Sequence, residues 1–233
     1  MEQMPQTPFK LGWWSFDLGT YRPCDGTYNL YPYESLPPLD APDETLAWLG
    51  PLSTTLDQQM DVHRRPDESR GTLRAIVTDA GKLGLTLPDA FLRLMISREL
   101  QERIPSCTAC FFKLGDRIVA CPGSPDGYIV RFLSDQQDCV LWYLYLNTFG
   151  EHCVLAALPE LETYAAAIAG GDNSDTAAVV SNTWVCAPSF AGFIYRFWLE
   201  NVIWFKLDGS DTASLTEAER GYLDHYERAK AAH

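Results

Sequence analysis

Arg131-Phe-Leu-Ser-Asp-Gln-Gln-Asp-Cys-Val-Leu-Trp-Tyr-Leu-Tyr-Leu146 is the stretch on which the reading of the fold turns. Val140 to Leu146 shows no alternation with polar residues, which predicts a strand buried on both faces. Tyr128 to Leu133 reads as the strand before it. Ser134 to Asp138 is the polar connection between the two.

Working outward, Asn147-Thr-Phe-Gly150 turns the chain and Cys153 to Ala157 returns as a further strand. Upstream, Phe111-Phe112, Gly115-Asp116 and Ile118 to Ala120 read as a hairpin, followed by a loop of turn formers from Pro122 to Gly127. Consecutive strands with short links favour an antiparallel meander. Five to six strands are expected, with Trp184-Val185-Cys186 either the last strand or an extended link.

Helices are predicted on both sides of this sheet region. Leu73, Ile76, Val77 and Ala80 keep helical spacing until Gly81 and Gly84 break it. A second helix is expected from Thr86, as cap, and Pro88, with Phe91, Leu94 and Met95 on one face, running to about Arg103. Glu160 to Ala169 reads as a short helix and Asp172 to Asp175 as a loop. Ser189 to Leu207 reads as a long, well-buried helix, apolar on more than one face. Thr216-Glu-Ala-Glu219 fits a capping box and opens a polar final helix toward Tyr226. The class is therefore α+β.

Residues 1 to 72 form an aromatic-rich N-terminal arm ahead of the α+β domain at 73 to 233. Trp13, Trp14, Phe16, Tyr21, Tyr28, Tyr31 and Tyr33 are too apolar for a solvated tail, so the arm should pack on the core. A short helix is expected over Asp43 to Gly50, with Asp43 as its cap.

The 233 residues carry a net charge of −13. Such a surface repels a phosphate backbone, so direct nucleic-acid binding is not expected. It would steer a basic protein partner inward. Met1 to Lys10 has no apolar leader and no stretch approaches the length of a membrane helix, so a membrane role is not expected. The seven cysteines, an odd count, then read as free thiols in a reducing, cytoplasmic compartment.

Cys107-Thr-Ala-Cys110 has metal-ligand spacing, with Cys121 following. A structural zinc site needs four ligands, and Cys139, His152 and Cys153 are scattered. Buried thiols are the plainer reading, and no metal or cofactor is expected. His152 and Cys153 are strand neighbours that point to opposite faces, which does not make a catalytic pair. No nucleophile elbow or phosphate-cradling glycine motif occurs. The chain is therefore not expected to be an enzyme, although an unrecognised site stays open. Asp135, Gln136, Gln137 and Asp138 form a polar cluster that reads either as a partner-contacting loop or as ordinary turn chemistry. Glu200, inside the long aromatic helix, must lie at an exposed edge or be paired, with Arg196 in reach one turn earlier.

The helix start with Gly84, Leu87, Pro88 and Phe91, the segment from Arg131 to Leu146, and the pair Val185 to Phe190 and Phe197 to Trp204 resemble the SUKH superfamily, the Smi-and-Knr-type domains. The resemblance spans about Leu73 to Leu207 and leaves the arm outside it. It implies an antiparallel sheet flanked by helices and no catalytic residues. It also implies an immunity protein that binds and neutralises a toxin, often a nuclease, or else a regulatory adaptor; in an adaptor the arm, outside the resemblance, would be the part expected to dock a host partner.

Overall fold

The computed structural model describes residues 5–40, 42–53, 70–171, 175–209 and 214–231. Their strands are β1 (Lys10–Leu11), β2 (Trp13–Ser15), β3 (Asn29–Tyr31), β4 (Phe111–Phe112), β5 (Val119–Ala120), β6 (Gly127–Ser134), β7 (Leu141–Asn147), β8 (His152–Ala157) and β9 (Thr183–Ala187). The helices are α1 (Arg70–Leu83), α2 (Asp89–Ile96), α3 (Arg98–Glu102), α4 (Leu161–Ala169), α5 (Thr176–Ser181), α6 (Phe190–Asp208) and α7 (Glu217–Ala231). The fold is α+β, with a mostly antiparallel sheet flanked by helices.

The main sheet has the order β1-β9-β8-β7-β6-β4, with β5 also on β6. From β6 to β9 each strand pairs antiparallel with the next, and β1 joins β9 in parallel. Every residue of β7 is buried. Its alternation is hidden in the sequence because both faces are covered. Trp142, Leu144 and Leu146 enter the core with Phe91, Phe190 and Phe193. Leu141, Tyr143 and Tyr145 enter a second core with Leu161 and Val179. Thus α2 and α6 cover one face, while α4 and α5 cover the other.

Several local expectations are corrected. Phe111 to Ala120 is not a hairpin: β4 and β5 both pair with β6, at Ser134–Leu133 and Ile129–Tyr128. The stretch between them stays alongside, with Lys113 N donating to Phe132 O and Gly115 N to Arg131 O. Gly115-Asp116 therefore lies within an irregular edge rather than at a reversal. α1 continues through Gly81 and stops before Gly84, whose φ of +69° suits a residue without Cβ. Pro88, not Thr86, occupies the N-cap position of α2. That helix ends at Ile96, because Ser97 leaves helical geometry and caps α3 instead by accepting the Leu100 N–H. Gln101 Nε2 donates at 3.0 Å to the Leu94 carbonyl, which also accepts the Ser97 N–H. Asp43 to Gly50 forms turns: Thr45 takes both Asp43 oxygens, and Leu46, buried in the core, has φ +59°. α5 was not foreseen; Asp175, the last residue of the expected loop and its one described residue, caps it by accepting the Ala178 N–H.

Other local signals match the structure. Ser189 caps α6 through Gly192 N, and Thr216 and Glu219 exchange the two bonds of a capping box.

Glu200 lies on α6 with no solvent exposure. Its partner is not Arg196. Arg22, from the connection between β2 and β3, donates Nη1 to Oε1 at 2.5 Å and Nη2 to Oε2 at 2.8 Å. Ser15 Oγ at 2.6 Å and Trp13 Nε1 at 2.9 Å also donate to Oε2. Tyr222 on α7 donates to Oε1 at 2.5 Å and accepts from Arg196 at 2.8 Å. Arg196 sends its other nitrogen to the Pro37 carbonyl.

Burial alone would raise the Glu200 carboxyl, but Arg22, Arg196 and Ser15 outweigh it and hold the group at about 2. A carboxyl depressed on folding stabilises the fold above its unfolded value of 4.5. That contribution, on the order of 3 kcal/mol, should fade as pH falls from about 5 toward 2 in urea titrations. Arg22→Ala leaves a buried charge unpaired and should cost on the order of 3–5 kcal/mol at neutral pH, read as a lower denaturation midpoint.

Candidate functional site

The polar turn joining β6 to β7 divides by role. Asp135 is buried and bonded from below. Its Oδ2 accepts the N–H groups of Gln137 at 2.9 Å and Cys139 at 3.3 Å. Its Oδ1 accepts the Tyr28 hydroxyl at 2.7 Å. The Asp138 N–H reaches the Asp135 carbonyl, and Asp138 takes φ +56°, a conformation Asp tolerates better than most residues. Asp135 therefore builds the turn. Gln136, Gln137, Asp138 and Cys139 are exposed on its outer side. Desolvation, then the charge and hydrogen bond of Asp135 and the charge of Asp138, raises the Cys139 thiol. Tyr28 ties this turn to the N-terminal segment, a link that sequence spacing could not supply.

The C-x-x-C segment lies between α3 and β4, with Ala109 at φ +56°. Cys110 N donates to Ser106 Oγ at 2.8 Å, and its Sγ lies 3.3 Å from both the Tyr28 hydroxyl and Thr108 Oγ1. Burial, partly offset by these hydroxyls, pushes the Cys110 thiol up to about 11. Burial also raises Cys107, Cys121, Cys153 and Cys186. Such thiols are protonated at neutral pH and weak as nucleophiles or ligands. Among the described residues, no three His, Cys, Asp or Glu side chains gather as a metal site. Cys153 points into the second core while His152 is partly exposed, as strand alternation requires.

A charged cleft of about 560 Å³ was not foreseen. It opens between the irregular edge at Lys113–Ala120 and α4. Arg131 on β6 lies 3.2 Å from Glu160 and 3.1 Å from Glu162. Glu162 accepts the Tyr143 hydroxyl at 2.8 Å, and that oxygen accepts the Leu161 N–H at 3.1 Å. Burial first, then the Glu162 charge, raises the Tyr143 phenol, so it stays protonated and donates. With Lys113, Asp116 and Arg117 also lining it, the cleft holds three cations and three carboxylates, and the Arg131 pairs fix the first turn of α4 onto the sheet. Arg131 pairs with Tyr143 in register, while Glu160 and Glu162 follow β8, so only sheet topology assembles the cleft.

At the other end of β7, Phe149 is 77% exposed. Asn147 Oδ1 holds its turn by accepting the N–H groups of Phe149 and Glu151.

Comparison with protein-family models, with curated proteins and with solved structures gave no match.

Brief alkylation of the native protein should modify Cys139 first and leave Cys110, Cys121, Cys153 and Cys186 unmodified until denaturant is added, by peptide mass spectrometry. Asp138→Asn should lower the Cys139 thiol pKa and speed its reaction at pH 7. No change in that rate would show that Asp138 does not act on the thiol.

Proposed function

We propose that the chain is a non-catalytic protein-binding module of the immunity type, acting in the cytoplasm. It neutralises a basic toxin domain, a nuclease among the candidates, by covering its active surface. The observation that carries this reading is the turn at residues 135–139. Asp135 and Tyr28 lock it from beneath, so Gln136, Gln137 and Asp138 are held outward with little ordering left to be lost on contact. The exposed Asp138 carboxylate and the chain's net charge of −13 suit a cationic partner. Among the described residues, no helix is long and apolar enough to cross a membrane.

The adaptor reading would use the N-terminal residues for docking. Deleting residues 1–66 does not isolate that role, because Trp13, Ser15 and Arg22 are the bonding partners of Glu200. Loss of partner binding would then accompany loss of the fold.

The test is co-expression with any basic toxin domain found encoded next to this chain, together with calorimetry on the purified pair. Rescue of growth and binding in the nanomolar range are expected, with affinity falling as salt rises. Gln136→Lys with Asp138→Asn, which keeps a side chain suited to the positive φ at 138, should weaken binding about tenfold or more without moving the melting temperature. Failure of the wild-type chain to rescue would sink the immunity reading. Rescue with an unaffected double variant would move the contact elsewhere.

A further inference from the structure

α1 and α2 send their main apolar stripes into the core: Leu73, Ile76 and Ala80 from one, Ala90, Phe91, Leu94 and Met95 from the other. Each helix also carries a second apolar row that the core does not cover. Val77 is 46% exposed and Ile96 56% exposed. They are not scattered surface residues. Together with Leu73 and Leu92 they line one groove of about 630 Å³ between the two helices. Val77 and Ile96 are its exposed apolar side chains, one turn beyond the buried Leu73 and the partly buried Leu92 of their own helices.

The groove is flanked by cations. Arg74 and Arg93 line it with the apolar residues, and both side chains are exposed. Asp43 lies within reach of the Arg93 charge, but both of its oxygens are taken by Thr45. Asp79, the acid on α1, is bonded to Lys82. A chain with a net charge of −13 thus places two arginines at an open apolar groove.

We propose that this groove binds an amphipathic helix of acidic character from another protein. Apolar side chains at i, i+3 or i+4 fill the space between Val77 and Ile96, and flanking carboxylates meet Arg74 and Arg93. Helix-in-groove recognition works through such a spacing. The site shares no residue with the turn at 135–139 and does not depend on the immunity reading. The overall charge makes the sign of the preference informative: non-specific attraction to this chain favours basic peptides, so selection of an acidic one must come from local charge.

The experiment uses the full chain and two synthetic peptides of about 15 residues with the same leucine spacing. One carries glutamates on its flanks and the other lysines. Fluorescence anisotropy measures binding, and amide chemical shifts locate it. The expected result is saturable binding of the glutamate peptide, with shifts confined to residues 73–78 and 92–96. Arg74→Glu with Arg93→Glu should weaken it about tenfold or more, and so should Val77→Ser with Ile96→Ser. All four side chains are exposed, and an unchanged melting curve for each variant keeps folding out of the readout. Equal or tighter binding of the lysine peptide, or shifts elsewhere, overturns the proposal. So does concentration-dependent self-association that Ile96→Ser abolishes, which would assign the groove to a second copy. A native cross-link from the groove to residues 54–69 of the same chain would likewise overturn it.

Discussion

Glu200 carries its charge on a helix that is apolar on nearly every side, and the rest of the structure is arranged to make that tenable. A lone buried carboxylate would take up a proton or unfold its surroundings. Here Trp13, Ser15 and Arg22 approach from the N-terminal segment and Tyr222 from α7, so both ends of the chain converge on the middle of α6. An ion pair of this kind gives little net stability over a well-packed apolar alternative. Its consequence is that removing any one partner leaves the others buried and uncompensated. Arg196, one turn from Glu200, adds its charge without direct contact and holds Tyr222 in place.

This clamp explains why the N-terminal segment cannot be separated from the domain that follows. Trp13 packs 5.6 Å from Phe193, β1 adds to the sheet beside β9, and Tyr28 reaches the turn that starts β7. The surfaces that result have different characters. The turn at 135–139 is polar, braced by Asp135 and with the Asp138 carboxylate exposed. The α1–α2 groove is apolar and flanked by arginines. The cleft around Arg131 is internally neutralised and ties α4 to the sheet. A division of labour follows, in which two outward surfaces are suited to different partners and the third is structural.

The parts of the fold that were legible in the sequence are those fixed by neighbours along the chain. The unbroken apolar run at Val140–Leu146 became a strand with both faces covered. Ser189 and Thr216 began helices through bonds to residues three positions on. Where local signals competed, the sequence reading failed. Gly115-Asp116 looked like a hairpin turn, yet β6 had backbone groups to pair along its whole length and kept the stretch beside it. Thr86 looked like a cap, but Pro88 already supplied the extended geometry that precedes α2. Of the four polar residues singled out at 135–138, Asp135 proved to be the turn's internal brace.

By itself, then, the sequence determined the α+β class, the buried central strand, the long aromatic helix and the choice for Glu200 between an exposed edge and a paired burial. Those follow from periodicity, capping and the cost of burying charge, which act over a few residues or apply to any fold. Tertiary structure alone decided that Arg22 is the compensating partner, 178 positions away. It also decided that Arg131 meets Glu160 and Glu162, and that Val77 and Ile96 share one groove. Those pairings depend on strand order and helix placement, and the contact energy that fixes them exists only once distant segments are packed together.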